Sequence, residues 1–303
     1  MVFSHLYSAI ARGKWFIAFR EADVHLPFVQ KLFTRGIDEG PGETLSDRQP
    51  MMAYYIPRGT SASRKSATYS DAPEGSVAVI QLCGTMLKYG TYCSYGTTEV
   101  ANQMIEAADA ENIDAIILAI DSGGGAVDAI APLVDAISYC HNKGKAVVAH
   151  CDLCASAAYY VACYCDSIVA DNDISSEFGS IGVMMQFADY AKYYADHGIK
   201  VHTIYSSLSD YKNAPFEAAM KGEYKMIIDE ELDPLAREFQ AAVKSNRKTL
   251  VDTEGLLRGR MFYARDAAAF GLIDDIGSLD FAVARAKELN AQATINEYMN
   301  LFN

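Results

Sequence analysis

The segment Ile113–Ile120, IDAIILAI, is apolar at every position except Asp114. A strand with one wet face alternates apolar and polar residues. An unbroken apolar run is the mark of a strand covered on both faces, as in the parallel sheets of α/β proteins. At eight residues it is also far too short to cross a bilayer, which takes about 20. Similar runs stand at Ser76–Cys83 (SVAVIQLC), Ala146–His150 and Ser167–Ala170. Helical periodicity fills the gaps between them. Val100, Met104 and Ala108 make one stripe over Thr98–Ala110, with Thr98 as the expected N-cap. Val127, Ile130, Val134 and Ile137 make another, and Ser156–Cys165 reads as a helix of small residues. Strands alternating with helices give βαβ units, so the fold class is α/β with a mostly parallel sheet.

The flanks have a different character. Residues 1–35 carry apolar positions at mixed spacing and are read as helical, and 36–75 read as a linker rich in Gly, Pro and Ser, with Pro41, Pro50, Pro57 and Pro73. Residues 76–290 form the expected main domain, and 291–303 a tail. Within that domain a strand is expected at Ile181–Gln186, a helix at Ala188–His197 and a strand at Lys200–Tyr205. After the loop Ser206–Pro215, a long helix should run to about Lys248, with Asp229, Glu230, Glu231 and Arg237 on its solvated face.

Composition narrows the function. Half of the 303 residues are hydrophobic and 21% are charged, with a net charge of −13. A nucleic acid needs a basic footprint, so it is excluded as the main partner. The seven cysteines are odd in number and sit mostly in apolar runs, as reduced thiols do in the cytoplasm. Cys151 and Cys154 have zinc-like spacing but no second pair to match, so no metal and no cofactor is expected. The stretch Met1–Phe19 is interrupted by Arg12 and Lys14 and lacks a small-residue cleavage pattern, which argues against a secretory signal or a membrane anchor.

Three turns fall at strand ends, where open α/β sheets place their sites. Asp121-Ser122-Gly123-Gly124-Gly125-Ala126 is a glycine turn whose bare N–H groups suit a phosphate or an oxyanion. No Gly-Lys-Ser/Thr follows it, so it is not a Walker loop. A plain tight turn would also explain it. Cys154-Ala155-Ser156-Ala157-Ala158-Tyr159-Tyr160 places a serine at the start of a helix, either as a nucleophile or as an ordinary N-cap. Asp210-Tyr211-Lys212-Asn213-Ala214-Pro215 holds a lysine that is either a surface charge or, if desolvated from its usual pKa of about 10.4, a base. His150 lies near Ser156 in sequence, but no carboxylate is evidently placed to orient it.

These segments together resemble the protease IV / signal peptide peptidase A family. Asp121–Val127 is similar to the family's Asn-Ser-Pro-Gly-Gly-x-Val turn. Cys154–Tyr160 is similar to its Ala-Ala-Ser-Gly-Gly-Tyr-Tyr, and Gly179-Ser180-Ile181-Gly182-Val183 to its Gly-Ser-Ile-Gly-Val. Tyr211-Lys212-Asn213-Ala214 resembles the lysine segment, and Gly259–Gly277 the closing Gly-Arg-x-Tyr…Gly-Leu-Ile-Asp-x-Ile-Gly. The departures are Ala157-Ala158 in place of paired glycines, and Gly123 where proline is common.

The resemblance implies a ClpP/crotonase-type fold of ββα units and a homo-oligomer. It also implies a serine peptidase in which Ser156 is the nucleophile and Lys212 the general base. Gly124, Gly125 and Ala157 would hold the oxyanion and substrate, a polypeptide. The segment Trp15-Phe16-Ile17 resembles a Trp-x-Ile motif that opens the phage-capsid branch, so a head maturation protease acting on head or scaffold proteins in the host cytoplasm or prohead is expected. The rival readings are a signal-peptide-degrading peptidase, an acyl-CoA enzyme using the same glycine turn, and a capsid-associated protein with a weakened site.

Overall fold

A computed structural model describes residues 14–17, 53–59, 65–66, 69–90 and 94–300. The strands in chain order are β1 (Lys14–Ile17), β2 (Ala53–Ile56), β3 (Lys65–Ser66), β4 (Ser76–Cys83), β5 (Ile113–Ser122), β6 (Gly124–Ala126) and β7 (Val147–Ala155). They continue with β8 (Ser167–Ala170), β9 (Glu177–Gly179), β10 (Met184–Met185), β11 (Met261–Tyr263) and β12 (Asp275–Ile276). The helices of six or more residues are α1 (Thr97–Asp109), α2 (Ala131–Asn142), α3 (Ala157–Ala162), α4 (Ala191–Asp196), α5 (Ala214–Met220), α6 (Asp233–Asn246), α7 (Ala264–Ala269) and α8 (Leu279–Asn300).

The main sheet runs β11-β9-β7-β5-β4-β2-β3, with β8 beside β7 and β12 beside β8. The pairs β4–β5, β5–β7, β7–β8, β7–β9 and β8–β12 are all parallel. The apolar runs are explained by their two burial faces. Ala78 and Ile80 of β4, and Ile116, Leu118 and Ile120 of β5, point into a core shared with α1, α2 and α3. Their neighbours Val77, Val79, Ala115 and Ile117 point the other way, onto Ala282 and Ala286 of α8. The middle of each strand therefore meets protein on both faces, and the polar residues Asp114 and Asp121 stand near the ends of β5.

Several expectations are corrected. Lys14–Ile17, within the stretch read as helical, is a strand; its Trp-Phe-Ile run has the aromatic and β-branched character that strands favour. The rest of residues 1–35 lies outside the described residues. Within 36–75, read as a linker, Ala53–Ile56 is a fully buried strand antiparallel to β4. The scattered prolines obscured its short aromatic run. The tail from 291 is helical through Asn300 as the continuation of α8. Thr98 does not cap α1: Gly96 holds that position, and Thr98 Oγ1 donates to Lys88 O at 2.8 Å. A Cβ on Gly96 would lie 2.3 Å from the Tyr89 carbonyl carbon, so the chain crossing there excludes a larger capping residue. Of the strand expected at Ile181–Gln186 only Met184–Met185 forms, and residues 200–205 form no strand. The long helix is broken after α5, at Gly222, whose φ is +84°.

One ion pair fastens the domain. Arg247, at the end of α6, makes two bonds of 2.9 and 2.8 Å to Asp274 and a third, through Nε, to Gly271 O at 3.1 Å. Asp274 in turn accepts the Ile168 N–H at 2.7 Å, so one carboxylate links α6 to β8. Because Arg247 is buried, Arg247→Ala should lower unfolding stability by about 3 kcal/mol. Urea denaturation would measure this, and a loss below about 1 kcal/mol would mean the network is dispensable.

Candidate active site

Ser156 stands between the end of β7 and the start of α3, and its backbone is unusual. At φ 56°, ψ −120° it occupies a region that only glycine enters freely. Holding another residue there costs about 1–3 kcal/mol, and such strain persists only where neighbours enforce it. Here the Ser156 N–H donates to Gly179 O at 2.9 Å, and the Tyr160 N–H donates to Ser156 O at 2.9 Å. β7 also changes register against β5 between the pairs Ile120–Cys151 and Ser122–Cys154, a bulge that re-aims the strand end. The ordinary alternative, a serine capping its helix, fails on geometry: Ser156 stands at the cap position, yet its hydroxyl makes no capping hydrogen bond. Only 1% of the residue is exposed.

The glycine turn lies beside it, with β6 packed against α3. The Ser122 hydroxyl donates to Gly84 O at 2.6 Å and accepts the Gly124 N–H at 3.1 Å. Met86 closes the other side, its N–H donating to Gly124 O and its carbonyl accepting the Ala126 N–H, both at 2.9 Å. Gly124 therefore has its N–H engaged within the turn and is not a free oxyanion donor, which corrects its expected role. Successive residues of a strand direct their N–H and C=O to opposite edges. Gly124 and Ala126 face Met86, so the polar edge of Gly125 faces away from it. The Ala157 N–H begins α3, among the donors a helix leaves without an internal partner. Gly125, whose polar edge faces β1, and Ala157 at the start of α3 are the N–H groups near Ser156 that the turn does not use internally.

Gly125 also has no room for a side chain: an added Cβ would stand 2.0 Å from Met86 O. Gly125→Ala should move the donor and reduce kcat about 10²–10³-fold, the usual cost of one lost oxyanion donor. Steady-state kinetics on a peptide would check this, and an unchanged kcat would remove Gly125 from the site. The bracing roles of Ser122 and Met86 were not anticipated. Ser122 within the Asp-Ser-Gly run was the only hint.

No hydrogen bond joins Lys212 to Ser156 among the described residues. The lysine is exposed in the turn between Ser209 and Ala214, and among the described residues no ion pair or side-chain hydrogen bond holds it. His150 is excluded as a base by distance and by its bonds. It lies six residues back along β7, roughly 20 Å at strand rise, and its Nε2 is 3.0 Å from Gly277 O and 3.5 Å from Asp171. Two of the buried thiols near the site are held in their protonated form. Burial pushes Cys163 up to about 12, and burial together with a hydrogen bond that the Cys151 S–H donates to Cys154 pushes Cys151 well above the ordinary thiol range. Among the described residues no group of three or more His, Cys, Asp or Glu is placed to hold a metal, and no helix is long and apolar enough to cross a membrane.

Among curated proteins, the chain is 28% identical over 236 residues to a chloroplastic serine protease SPPA of Arabidopsis thaliana, covering 73% of this chain and 34% of that one. It is 30% identical over 178 residues to the head-tail preconnector protein GP5 of Enterobacteria phage P21, covering 58% and 35%. The chain thus spans about a third of the length of these relatives. A solved membrane-bound stomatin-specific protease, 1510-N, is similar at 16% identity with a TM-score of 0.42, covering 69% of this chain and 83% of that one. The model of peptidase family S49 matches residues 140–293, just over half of the chain. That stretch takes in the strained serine, the strand that fixes it and the Arg247–Asp274 fastening, and the chain belongs to peptidase family S49.

Proposed function

We propose that this protein is a serine endopeptidase with Ser156 as nucleophile and Lys212 as general base. The observation that supports it most is the strained, non-capping Ser156 set beside two backbone donors. Neutral Lys212 takes the Ser156 proton as Oγ bonds to a peptide carbonyl carbon, and the oxyanion is received by the N–H groups of Gly125 and Ala157. The C–N bond then breaks, with the proton passing from the Lys212 ammonium to the leaving amine. Water, deprotonated by Lys212, attacks the ester and frees Ser156.

An amine accepts a proton only when neutral, and burial is what disfavours the ammonium. Lys212 is exposed in the single chain, so its cover has to come from another surface. Residues 187–232 around it are mostly exposed and carry apolar side chains to water, with Ile204 91% and Leu208 92% exposed. A patch of this kind marks an association surface. We take it to dock on a second copy, so that Lys212 of one chain reaches Ser156 of another and the enzyme is a homo-oligomer.

The substrate is a polypeptide, and the relationship to a phage preconnector protein favours phage head or scaffold proteins in the cytoplasm or prohead. Similarity to SPPA keeps signal-peptide degradation as the second reading. Incubation with head proteins and with signal peptides, read by mass spectrometry of new termini, separates the two. Cleavage of neither, by the wild-type protein and also by a chain carrying Phe16→Pro in β1, would remove the endopeptidase reading.

A further inference from the structure

The short strand β1 lies in an unexpected place. It is antiparallel to β6 on one side, with Trp15, Phe16 and Ile17 opposite Ala126, Gly125 and Gly124. On the other side it is antiparallel to β10, with Lys14 and Trp15 opposite Met185 and Met184. The resulting three-stranded sheet, β10-β1-β6, is separate from the main one, and β1 also packs against α3, the helix that follows Ser156. The Gly125 N–H, which is turned away from Met86, therefore points at β1, where Phe16 is its partner.

A peptide substrate has to meet the same edge. Its scissile carbonyl must lie within about 3 Å of the oxyanion donors. An extended chain reaches such a donor most directly by adding as a strand beside β6. Neighbouring strands are about 4.8 Å apart, so the slot between β6 and β10 holds one strand and no more. In this structure that strand belongs to the protein itself. We propose that Lys14–Ile17 is an internal pseudosubstrate that fills the peptide slot and holds the enzyme off until it is displaced.

The ligand class of the slot follows: an extended polypeptide running antiparallel to both β6 and β10, with an aromatic and β-branched stretch of the Trp-Phe-Ile kind. Residues 18–52 join β1 to β2, a span long enough for β1 to leave while β2 stays paired with β4. Substrate and β1 compete for one position, so any partner that captures the N-terminal segment activates the enzyme. The proposal rests on the reading of Ser156 as a peptidase nucleophile.

The test uses the full chain and two readouts: the rate at which a fluorophosphonate labels Ser156, and amide hydrogen exchange at 124–126 and 184–185. Phe16→Pro removes a backbone donor from the middle of β1. It should speed labelling at least tenfold and raise exchange at Gly125, and the peptide Arg12–Phe19 added in trans should reverse both. The second variant combines Lys14→Cys with Met185→Cys, opposite one another in register at a spacing a disulfide can bridge. Oxidised with copper phenanthroline, it should label at least tenfold more slowly than after reduction with dithiothreitol.

Failure of that cross-link to form would overturn the proposal, as would equal labelling in the two redox states. A folded Phe16→Pro chain with unchanged exchange and labelling would do the same. If exchange at Gly125 rises in Phe16→Pro but no form labels at Ser156, the slot stands and the nucleophile reading fails instead.

Discussion

Ser156→Ala should lower kcat for peptide hydrolysis by about four to six orders of magnitude, since the reaction loses its covalent route and keeps only binding and the oxyanion donors. The strained backbone adds a second expectation that an ordinary surface serine would not produce. At φ 56°, ψ −120°, alanine inherits the strain but glycine does not. Ser156→Gly should therefore be as inactive as Ser156→Ala yet more stable, by about 1 kcal/mol in chemical denaturation. A glycine variant less stable than the alanine one would mean that the turn is not strained. Activity surviving in either variant would move the nucleophile elsewhere.

Loss of Lys212 should be nearly as severe. Lys212→Ala removes the base, and Lys212→Arg keeps the charge but supplies a guanidinium that does not deprotonate in proteins. Both should cost at least about 10³-fold in kcat with little change in melting temperature, because Lys212 is exposed and makes no bond that the fold relies on. Mixing Ser156→Ala chains with Lys212→Ala chains distinguishes where the base comes from. If the dyad spans two copies, the mixture regains a substantial fraction of wild-type rate through pairs that combine an intact Ser156 with an intact Lys212. No recovery from chains shown to exchange subunits would place both residues in one chain, reached by closure of the 187–232 segment.

The sheet was legible because burial on both faces writes itself as uninterrupted apolar sequence. Ser167–Ala170 and Ser76–Cys83 were read to the residue. β7 was read too short, since Cys151–Ala155 mixes polar Asp152 with small residues, and its bulge is set by pairing with β5 and β9 that no local pattern encodes. β2 was missed for the opposite reason: AYYI is a good strand in isolation but sits among prolines that dominate a composition-based reading. At the site, the turns holding Ser156, Gly124 and Gly125 were evident. What could not be read was which N–H the turn itself leaves unused. That depends on Ser122 and Met86, whose bonds cross from one loop to another. The exposure of Lys212 was equally out of reach, because a lone lysine in a loop carries no pattern that tells a covered side chain from a solvated one. The place of Lys14–Ile17 depends on a contact with strands more than a hundred residues away.

The most direct measurement of the central claim is to react the wild-type protein with a fluorophosphonate and map the adduct by mass spectrometry, following peptide hydrolysis in the same sample. A single adduct on Ser156, with activity falling in proportion to labelling and no adduct on Ser156→Ala, is the predicted result. An adduct confined to another residue, or hydrolysis that persists once Ser156 is fully labelled, would contradict it.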